Sequence, residues 1–237
     1  MTVEILAIGT HPDDVEVGIG ALVSKLTGAG RSVGILDLTL GELGSRGTVP
    51  ERQAEAAEGA RILGVASRVN AGLPDGELAN TCEQQRTIIP YIRTLRPQVL
   101  LAPMRDDRHP DHHAAHYLVR DANYFAGLVR IETGQAPHRT PLVYYYRVYG
   151  ETDAPQFIVD VSEYFETKLA ALRAFSSQFY NPDYQGPPTF IASEKFWNSI
   201  RTNAASLGDR IGVAYGEALY ADGPVKVDMP PGLENIE

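Results

Sequence analysis

The first half of the chain alternates short apolar runs with longer amphipathic segments. The apolar runs cover residues 3–8, 33–38 and 98–102, and such hydrophobicity is typical of buried parallel strands. Residues 68–71 predict a further short strand. The amphipathic segments predict helices over residues 17–29, 50–63 and 83–95. Strands that alternate with helices in this way indicate right-handed βαβ units and a parallel sheet covered on both faces.

The second half of the chain is less regular. Residues 142–148 and 156–159 predict strands, and residues 162–175 and 193–207 predict helices. We therefore predict an α/β fold: a Rossmann-like, open, mostly parallel sheet with helices on both faces and a C-terminal α/β extension. We expect one domain over residues 1–237, with a core at about 3–130, an extension at about 140–220 and a tail at 221–237.

Two clusters of histidine and aspartate follow predicted strands. The first cluster holds His11, Asp13 and Asp14, and the second holds His109, Asp111 and His112. Ligands bind outside the carboxyl ends of parallel strands, so the two clusters can converge there. Imidazole and carboxylate are zinc ligands, and a catalytic zinc site uses three of them and leaves one position open. Taken alone, each residue is as compatible with a helix cap or a solvated loop position as with a metal ligand. The two clusters together predict a metal site.

The composition of the chain argues against several classes of function. The chain has 237 residues, 43% of them hydrophobic, and 21 basic against 30 acidic side chains give a net charge of −9. This charge argues against nucleic acid or an anionic membrane surface as a partner. The single cysteine, Cys82, excludes an intramolecular disulfide and a thiolate zinc site. The apolar runs are shorter than a membrane span needs, and no basic segment precedes an apolar one at the N-terminus, so we expect a cytoplasmic protein.

The chain resembles the LmbE-like, or PIG-L, family of zinc-dependent N-acetylglucosaminyl deacetylases over most of residues 3–220. The resemblance rests on HPDD (11–14), RHPDH (108–112), the loop 41–52 and GVAYGEA (212–218). Three further segments, residues 37–64, LPDG (73–76) and PTFIAS (188–193), resemble the branch that acts in bacillithiol biosynthesis. Enzymes of that branch deacetylate N-acetyl-α-D-glucosaminyl L-malate, and we expect this activity here.

The resemblance also implies roles for individual residues. It makes His11, Asp14 and His112 the metal ligands. It makes Asp13 the general base, and His109 with Asp111 a supporting His–Asp pair in which Asp111 favours a charged imidazole. The implied metal is zinc, with Fe²⁺ as an alternative, because imidazole and carboxylate accept both. Either Asp13 or His109 could protonate the leaving amine. The family resemblance further suggests a homo-oligomer.

Several residues near the clusters are open to two interpretations. Arg46, Arg52 and Arg108 are either solvated or recognise the malate carboxylates, for which the bidentate geometry of arginine is suited. His116 lies four residues after His112, but we interpret it as a packing residue because three ligands already complete the site. Phe190 stands where a tyrosine that polarises the acetyl carbonyl would be sought, which leaves that role unassigned.

Three alternatives remain at this point. The same chemistry could act on another N-acetylglucosamine conjugate, such as a mycothiol-type inositol or a chitin-derived sugar. Two histidines and a carboxylate also form the metal triad of non-haem iron oxygenases, although those enzymes usually have double-stranded β folds. The chain could also bind metal without turnover.

Overall fold

Five parallel strands form the central sheet of the computed structural model, which describes residues 2–150 and 154–226. The strands are β1 (Ile5–Gly9), β2 (Val33–Thr39), β3 (Ser67–Leu73), β4 (Val99–Pro103) and β5 (Leu142–Tyr146). Their order across the sheet is β3-β2-β1-β4-β5. The strand order therefore reverses between β1 and β4, and such a switch point opens a crevice at the carboxyl ends of these two strands.

Helices cover both faces of the sheet. They are α1 (Asp14–Gly28), α2 (Val49–Leu63), α3 (Cys82–Leu95), α4 (Pro110–Ala126), α5 (Phe165–Ala174) and α6 (Glu194–Asp209), with a 3₁₀ turn at Ser162–Tyr164. Thr48 and Glu51 form a capping box that starts α2, because each satisfies a backbone N–H that the helix leaves free. No helix among the described residues is long and apolar enough to cross a bilayer.

Alternate residues of β1 enter different cores. Leu6 and Ile8 pack into the core beneath α3 and α4, whereas Ile5 and Ala7 pack into the core beneath α1. Both faces of the strand are thus buried, which explains why its sequence is continuously apolar rather than alternating.

The C-terminal extension contributes a two-stranded antiparallel sheet and a third core. The small sheet pairs β6 (Phe157–Asp160) with β7 (Gly216–Leu219), and a bridge between Tyr145 and Tyr220 joins it to the edge of the main sheet. The third core contains Phe165, Phe175 and Phe196 of the extension, together with Val17 of α1 and Ala56 of α2. The extension therefore packs directly on the helices that flank the crevice.

The predicted α/β class is confirmed, and the structure differs from the predicted elements at a few places. Helix α4 was not predicted, because its first turn is occupied by the proline, aspartate and histidines of the second cluster. Its start is nevertheless regular: Pro110 lies in the first turn, and the Nδ1 atom of His109 accepts the backbone N–H of Asp111. Strand β7 was also missed, and α1 begins at Asp14 rather than at residue 17. The predicted tail at 221–237 lies outside the described residues from 227 onwards.

A buried ion pair stabilises a break in α1. The helix loses regular geometry at Ile19 (φ −141°, ψ 23°), which frees the N–H groups of Ala21 and Leu22. Both donate to the Glu217 carboxylate, at 3.2 and 2.7 Å, and the Lys168 ammonium donates to the same carboxylate at 2.6 Å. Lys168 and Glu217 are both nearly inaccessible to solvent. The pair thus joins α1, α5 and β7.

Removing the cation of this pair should destabilise the fold. In Lys168→Met the Glu217 carboxylate stays buried without its counter-ion, so we expect a loss of about 3–5 kcal/mol in the free energy of unfolding. Urea denaturation followed by circular dichroism measures it. Lys195→Met, at an exposed position on α6, is the matched control and should change stability by less than about 0.5 kcal/mol. Equal effects of the two variants would contradict this account.

Candidate metal centre and substrate pocket

Side chains from the ends of β1 and β4 meet in the crevice between these strands. His11 and Asp14 follow β1, and His112 lies in the first turn of α4, after β4. The Nδ1 atom of His11 lies 3.3 Å from Oδ2 of Asp14, and the Nε2 atom of His112 lies 3.2 Å from the same oxygen. The two histidine nitrogens are 3.4 Å apart. These three atoms, one from each side chain, thus form a nearly equilateral triangle.

The size of this triangle fits a metal ion. Ligand atoms about 2.0–2.1 Å from a tetrahedral zinc ion lie about 3.3–3.4 Å from one another. The Asp14 carboxylate and the His112 ring are almost inaccessible to solvent, and an ionised buried group requires a partner. His11, Asp14 and His112 could therefore hold a metal ion with small adjustments and leave a fourth position towards the crevice.

Electrostatics within the triangle favour the ionised carboxylate. Burial raises the pKa of Asp14, but the neighbouring His112 and His11 rings outweigh it and bring the pKa well below the usual value. Burial likewise lowers the pKa of His112, and the carboxylates of Asp14 and Asp107 overcome it and raise the pKa to about 9. Without an ion the two imidazoles thus act as the counter-charge of Asp14.

Two carboxylates that were not predicted lie behind the histidines. Oδ1 of Asp75 lies 3.1 Å from Nε2 of His11, and Oδ1 of Asp107 lies 3.2 Å from Nδ1 of His112. Asp75 follows β3, in the Asp-Gly pair of LPDG, and Asp107 stands in the loop after β4. Each contacts the ring nitrogen that points away from the triangle, which is how carboxylates orient histidine ligands in metal sites.

Asp13 lies beside the triangle in an unusual backbone conformation. Its φ of 143° is in the region that favours glycine, and its side chain does not cap α1. The carboxylate lies at the pocket wall, with its Oδ2 atom 3.3 Å from Nη2 of Arg52. Burial raises the pKa of Asp13 to about 7, against the opposing effect of the Arg52 guanidinium. This carboxyl group is therefore suited to exchange a proton near neutral pH.

The expected pairing of the His109 ring with the Asp111 carboxylate is not the arrangement observed. The backbone N–H of Asp111, not its carboxylate, donates to Nδ1 of His109, at 3.2 Å. The carboxylate accepts the N–H of Gly76 at 2.7 Å and lies 3.8 Å from Nε2 of His11. Burial and the nearby rings of His11 and His112 lower the pKa of His109. The lowered pKa favours a neutral His109 ring over the imidazolium that the resemblance implied, and an Nδ1 atom that accepts a hydrogen bond leaves Nε2 as the donor.

A pocket of about 440 Å³ opens in front of the triangle. The loops after all five strands of the main sheet and the C-terminal extension line it. Lining residues include His11, Asp13, Leu43, Gly44, Ser45, Arg52, Asp75, Gly76, Arg108, His109, Tyr149, Gln178 and Phe190. The volume and the mixture of polar and apolar walls suit a small ligand such as a sugar conjugate.

The three arginines singled out from the sequence occupy different environments. The exposed Arg108 lies at the pocket, with its guanidinium carbon 3.8 Å from the ring centre of Phe190 and 5.0 Å from that of Tyr149. It has no hydrogen-bond or ion-pair partner among the described residues, so its N–H groups are available to a ligand. Cation–π contacts on two sides restrict the motion of this side chain.

Arg52 and Arg46 do not have the free guanidinium expected of substrate-binding arginines. Buried Arg52 donates to the carbonyl oxygens of Gly41 and Pro12, at 2.8 and 3.2 Å, besides contacting Asp13. Gly41 has a φ of 66°, and a side chain there would collide with this guanidinium. Buried Arg46 donates to the carbonyl oxygens of Ser177 and Pro187, at 2.6 and 3.0 Å, and so ties the loop after β2 to the extension. Burial gives both side chains structural partners, which sequence alone did not indicate.

The aromatic residues near the site differ in their placement. Tyr149, which was not singled out, has its ring stacked on His112, with the ring centres 5.5 Å apart. Phe190 lines the pocket with about half of its surface exposed and offers no hydroxyl. His116 is buried against Tyr145, and its Nδ1 lies 3.1 Å from the carbonyl oxygen of Pro103. His116 is thus a packing residue, as interpreted from the sequence.

Sequence comparison with known proteins identifies a family of deacetylases. Residues 6–123 match the family model described as GlcNAc-PI de-N-acetylase, PIG-L. A diacetylchitobiose deacetylase of Thermococcus kodakarensis is 33% identical over 232 residues, which cover 91% of this chain and 82% of the relative.

Solved structures extend the comparison to the fold. The conserved protein TT1542 from Thermus thermophilus superimposes with a TM-score of 0.87 at 37% identity, covering 97% of this chain and 98% of the other. N,N'-diacetylchitobiose deacetylase from Pyrococcus horikoshii superimposes with a TM-score of 0.79 at 29% identity, covering 91% and 82% of the two chains. The β3-β2-β1-β4-β5 sheet and its crevice therefore belong to an architecture in which deacetylases occur.

Loss of one corner of the triangle should abolish metal binding. His112→Ala leaves two ligands, so we expect the purified variant to lose stoichiometric zinc, as measured by inductively coupled plasma mass spectrometry after dialysis. His113→Ala, next in sequence but exposed, is the control and should retain the wild-type metal content. Stoichiometric zinc in His112→Ala would remove His112 from the set of ligands.

Proposed function

The chain belongs to the GlcNAc-PI de-N-acetylase (PIG-L) family of deacetylases, and from this premise we propose that it hydrolyses the acetamide of an N-acetylglucosaminyl conjugate in a metal-dependent reaction. The conjugate that we propose is N-acetyl-α-D-glucosaminyl L-malate, the substrate of the bacillithiol branch. The product would be the free amino sugar conjugate and acetate. A cytoplasmic location and a homo-oligomeric state stay predictions.

One observation carries the proposal. Donor atoms of His11, Asp14 and His112 lie 3.2–3.4 Å from one another at the base of a pocket, with the carboxyl group of Asp13 beside them. Three ligands, an open fourth position and an adjacent proton acceptor are the arrangement of metal-assisted amide hydrolysis. The oxygenase alternative loses support, because the ligands lie at the ends of parallel strands rather than in a double-stranded β fold.

The residues of the pocket have different roles in the proposed reaction. When bound, zinc supplies a Lewis acid that polarises the acetyl carbonyl and acidifies water. Asp13, with a pKa near 7, takes the proton of the attacking water and returns it to the nitrogen of the leaving amine. His109 is neutral and donates a hydrogen bond from Nε2 to the carbonyl oxygen as negative charge develops there. This division favours Asp13 over His109 as the proton donor to the amine.

The position of Arg108 favours a substrate that carries an anionic group attached to the N-acetylglucosaminyl sugar. Its guanidinium lies against Phe190 and Tyr149 at the pocket wall, and its donors have no partner among the described residues. A planar guanidinium binds a carboxylate through two parallel hydrogen bonds. An acidic protein with several carboxylates in its pocket requires such a local cation to hold malate. Of the three arginines expected from the sequence, we therefore assign this role to Arg108 alone.

A second candidate substrate is a chitin-derived disaccharide. The observation that favours it is the 33% identity, over 91% of this chain, to a diacetylchitobiose deacetylase. The reaction and the roles of the residues would be the same, but the second group would be a neutral sugar. A mycothiol-type inositol conjugate is a third substrate of this kind, and it is also uncharged.

Activity measurements distinguish these candidates. Zinc-loaded protein is assayed for acetate release from the malate conjugate, from diacetylchitobiose and from the inositol conjugate, and we expect the highest kcat/KM for the malate conjugate. A higher kcat/KM for a neutral conjugate would contradict the proposed substrate and leave the proposed reaction unchanged. Stoichiometric metal without hydrolysis of any acetamide would instead support a metal-binding protein without turnover.

Asp13 should be essential for turnover but not for metal binding. Asp13→Asn keeps the shape of the side chain and removes its basicity, so we expect kcat to fall by about 10²–10⁴-fold with zinc content unchanged. Asp160→Asn, at the exposed end of β6 and outside the pocket lining, should have the wild-type rate. Full activity of Asp13→Asn would exclude Asp13 as the general base.

Arg108 should affect one class of substrate selectively. Arg108→Met preserves an apolar stem between the two rings and removes the charge, so we expect KM for the malate conjugate to rise about 10- to 100-fold. KM for diacetylchitobiose should change little, and Arg86→Met on the exposed face of α3 should change neither. An equal effect of Arg108→Met on both substrates would contradict a carboxylate-binding role.

A further inference from the structure

Each histidine of the triangle is connected to a wall of the pocket through one carboxylate. Asp75 lies behind His11, and Asp107 lies behind His112. In each case one oxygen contacts the ring and the other accepts backbone N–H groups from a loop that lines the pocket. These two connections involve different loops on different sides of the pocket.

Asp75 connects His11 to the loop after β2. Its Oδ1 atom lies 3.1 Å from Nε2 of His11, and its Oδ2 atom accepts the N–H of Leu43 at 2.9 Å. The same loop is held a second time, because the Glu42 carboxylate accepts the N–H of Asp75 at 2.9 Å. Leu43 is 70% exposed and lines the pocket. Few apolar contacts therefore hold this wall, and the position of Leu43 depends on the Asp75 carboxylate.

Asp107 connects His112 to the loop after β5. Its Oδ1 atom lies 3.2 Å from Nδ1 of His112 and accepts the N–H of His109 at 3.0 Å. Its Oδ2 atom accepts the N–H groups of Val148 and Tyr149, at 3.2 and 3.0 Å. Tyr149 is one of the two rings against which Arg108 lies. The carboxylate of Asp107 therefore supports the wall that presents Arg108 and His109.

We propose that Asp75 and Asp107 are positioning residues that couple metal binding at the triangle to the order of the two pocket walls. The inference rests on the proposed metal site. A neutral histidine that ligates through one nitrogen donates its proton from the other, so a bound ion fixes both the tautomer and the orientation of His11 and His112. The fixed rings then restrict the carboxylates of Asp75 and Asp107. These carboxylates in turn position the two pocket walls through the backbone N–H groups that they accept.

The coupling must act in both directions. If an ion orders the loops that bind the sugar conjugate, a ligand that orders those loops must raise the affinity for the ion by the same factor. Metal-free protein would accordingly retain its fold but bind substrate poorly. The two connections would act separately, since Asp75 and Asp107 contact different histidines and different loops.

Amide hydrogen exchange tests the coupling in the intact protein. The exchange rates of the Leu43 and Tyr149 amides are measured by NMR in metal-free and zinc-loaded wild type. We expect zinc to slow both by about 5- to 150-fold, the range of common allosteric couplings. The Ser162 amide, which donates to Asp160 far from the pocket, is the internal control and should be unaffected. Equal rates at residues 43 and 149 with and without zinc would overturn the proposal.

Two variants separate the connections. In Asp75→Asn the amide keeps the size of the side chain but accepts through one oxygen only, so zinc should no longer slow exchange at residue 43 and should still slow it at residue 149. Asp107→Asn should show the converse. Competition with a chelator should reveal zinc affinities about 10- to 100-fold weaker than wild type in both variants, whereas Asp160→Asn should bind zinc as wild type does.

The outcomes also separate this inference from the proposed function. Wild-type protein that binds no zinc would overturn the metal site and the coupling together. Wild type that binds zinc and deacetylates, with both Asp→Asn variants retaining wild-type zinc affinity and zinc-dependent exchange, would overturn the coupling alone. Loss of protection at both loops in either single variant would show one shared structural effect, and would also overturn two separate connections.

Discussion

The pocket depends on the placement of β1 beside β4. The two strands are separated by about 90 residues in sequence, yet Ile5 pairs with Val99 and Ala7 with Leu101 in parallel register. Their carboxyl ends therefore open at the same edge of the sheet, at the point where the strand order reverses. The turn after β1 and the first turn of α4 meet there without a long loop, which lets side chains from both approach within hydrogen-bonding distance.

The charges brought together by this placement explain much of the chemistry. Asp13, Asp14, Asp75, Asp107 and Asp111 surround two imidazole rings in a partly desolvated crevice. Carboxylates so close to one another require cations, because burial disfavours their ionised form. Arg52 partly compensates the charge of Asp13, and the two histidines compensate the charge of Asp14. A divalent cation at the triangle would carry the same charge as two protonated imidazoles, so it could replace them as the counter-charge of these carboxylates.

Residue type and strand position were sufficient to predict that the two histidine and aspartate clusters converge, whereas the choice of His11, Asp14 and His112 within them came from the family resemblance. The apolar runs of β1 and β4 identify buried parallel strands, and the rule for their carboxyl ends does not depend on side-chain detail. The environments of Arg46 and Arg52 were not predictable in this way, because the partners of an arginine are set by packing between distant segments. Asp75 and Asp107 were missed for a related reason: a carboxylate behind a ligand has no fixed spacing from it. Asp107 nevertheless stands two residues before His109, within the same loop.

The backbone of Asp13 has a consequence for the evolution of the chain. A residue other than glycine at φ 143° costs about 1–3 kcal/mol, and glycine would adopt this conformation more easily. The chain thus retains a carboxylate where a more stable fold would have none. Such a trade-off between stability and activity is tolerable only if the rest of the domain has stability in excess. The buried strands and the three cores are where such stability would come from, so mutations that weaken them far from the pocket would narrow the range of sequences in which Asp13 can be kept.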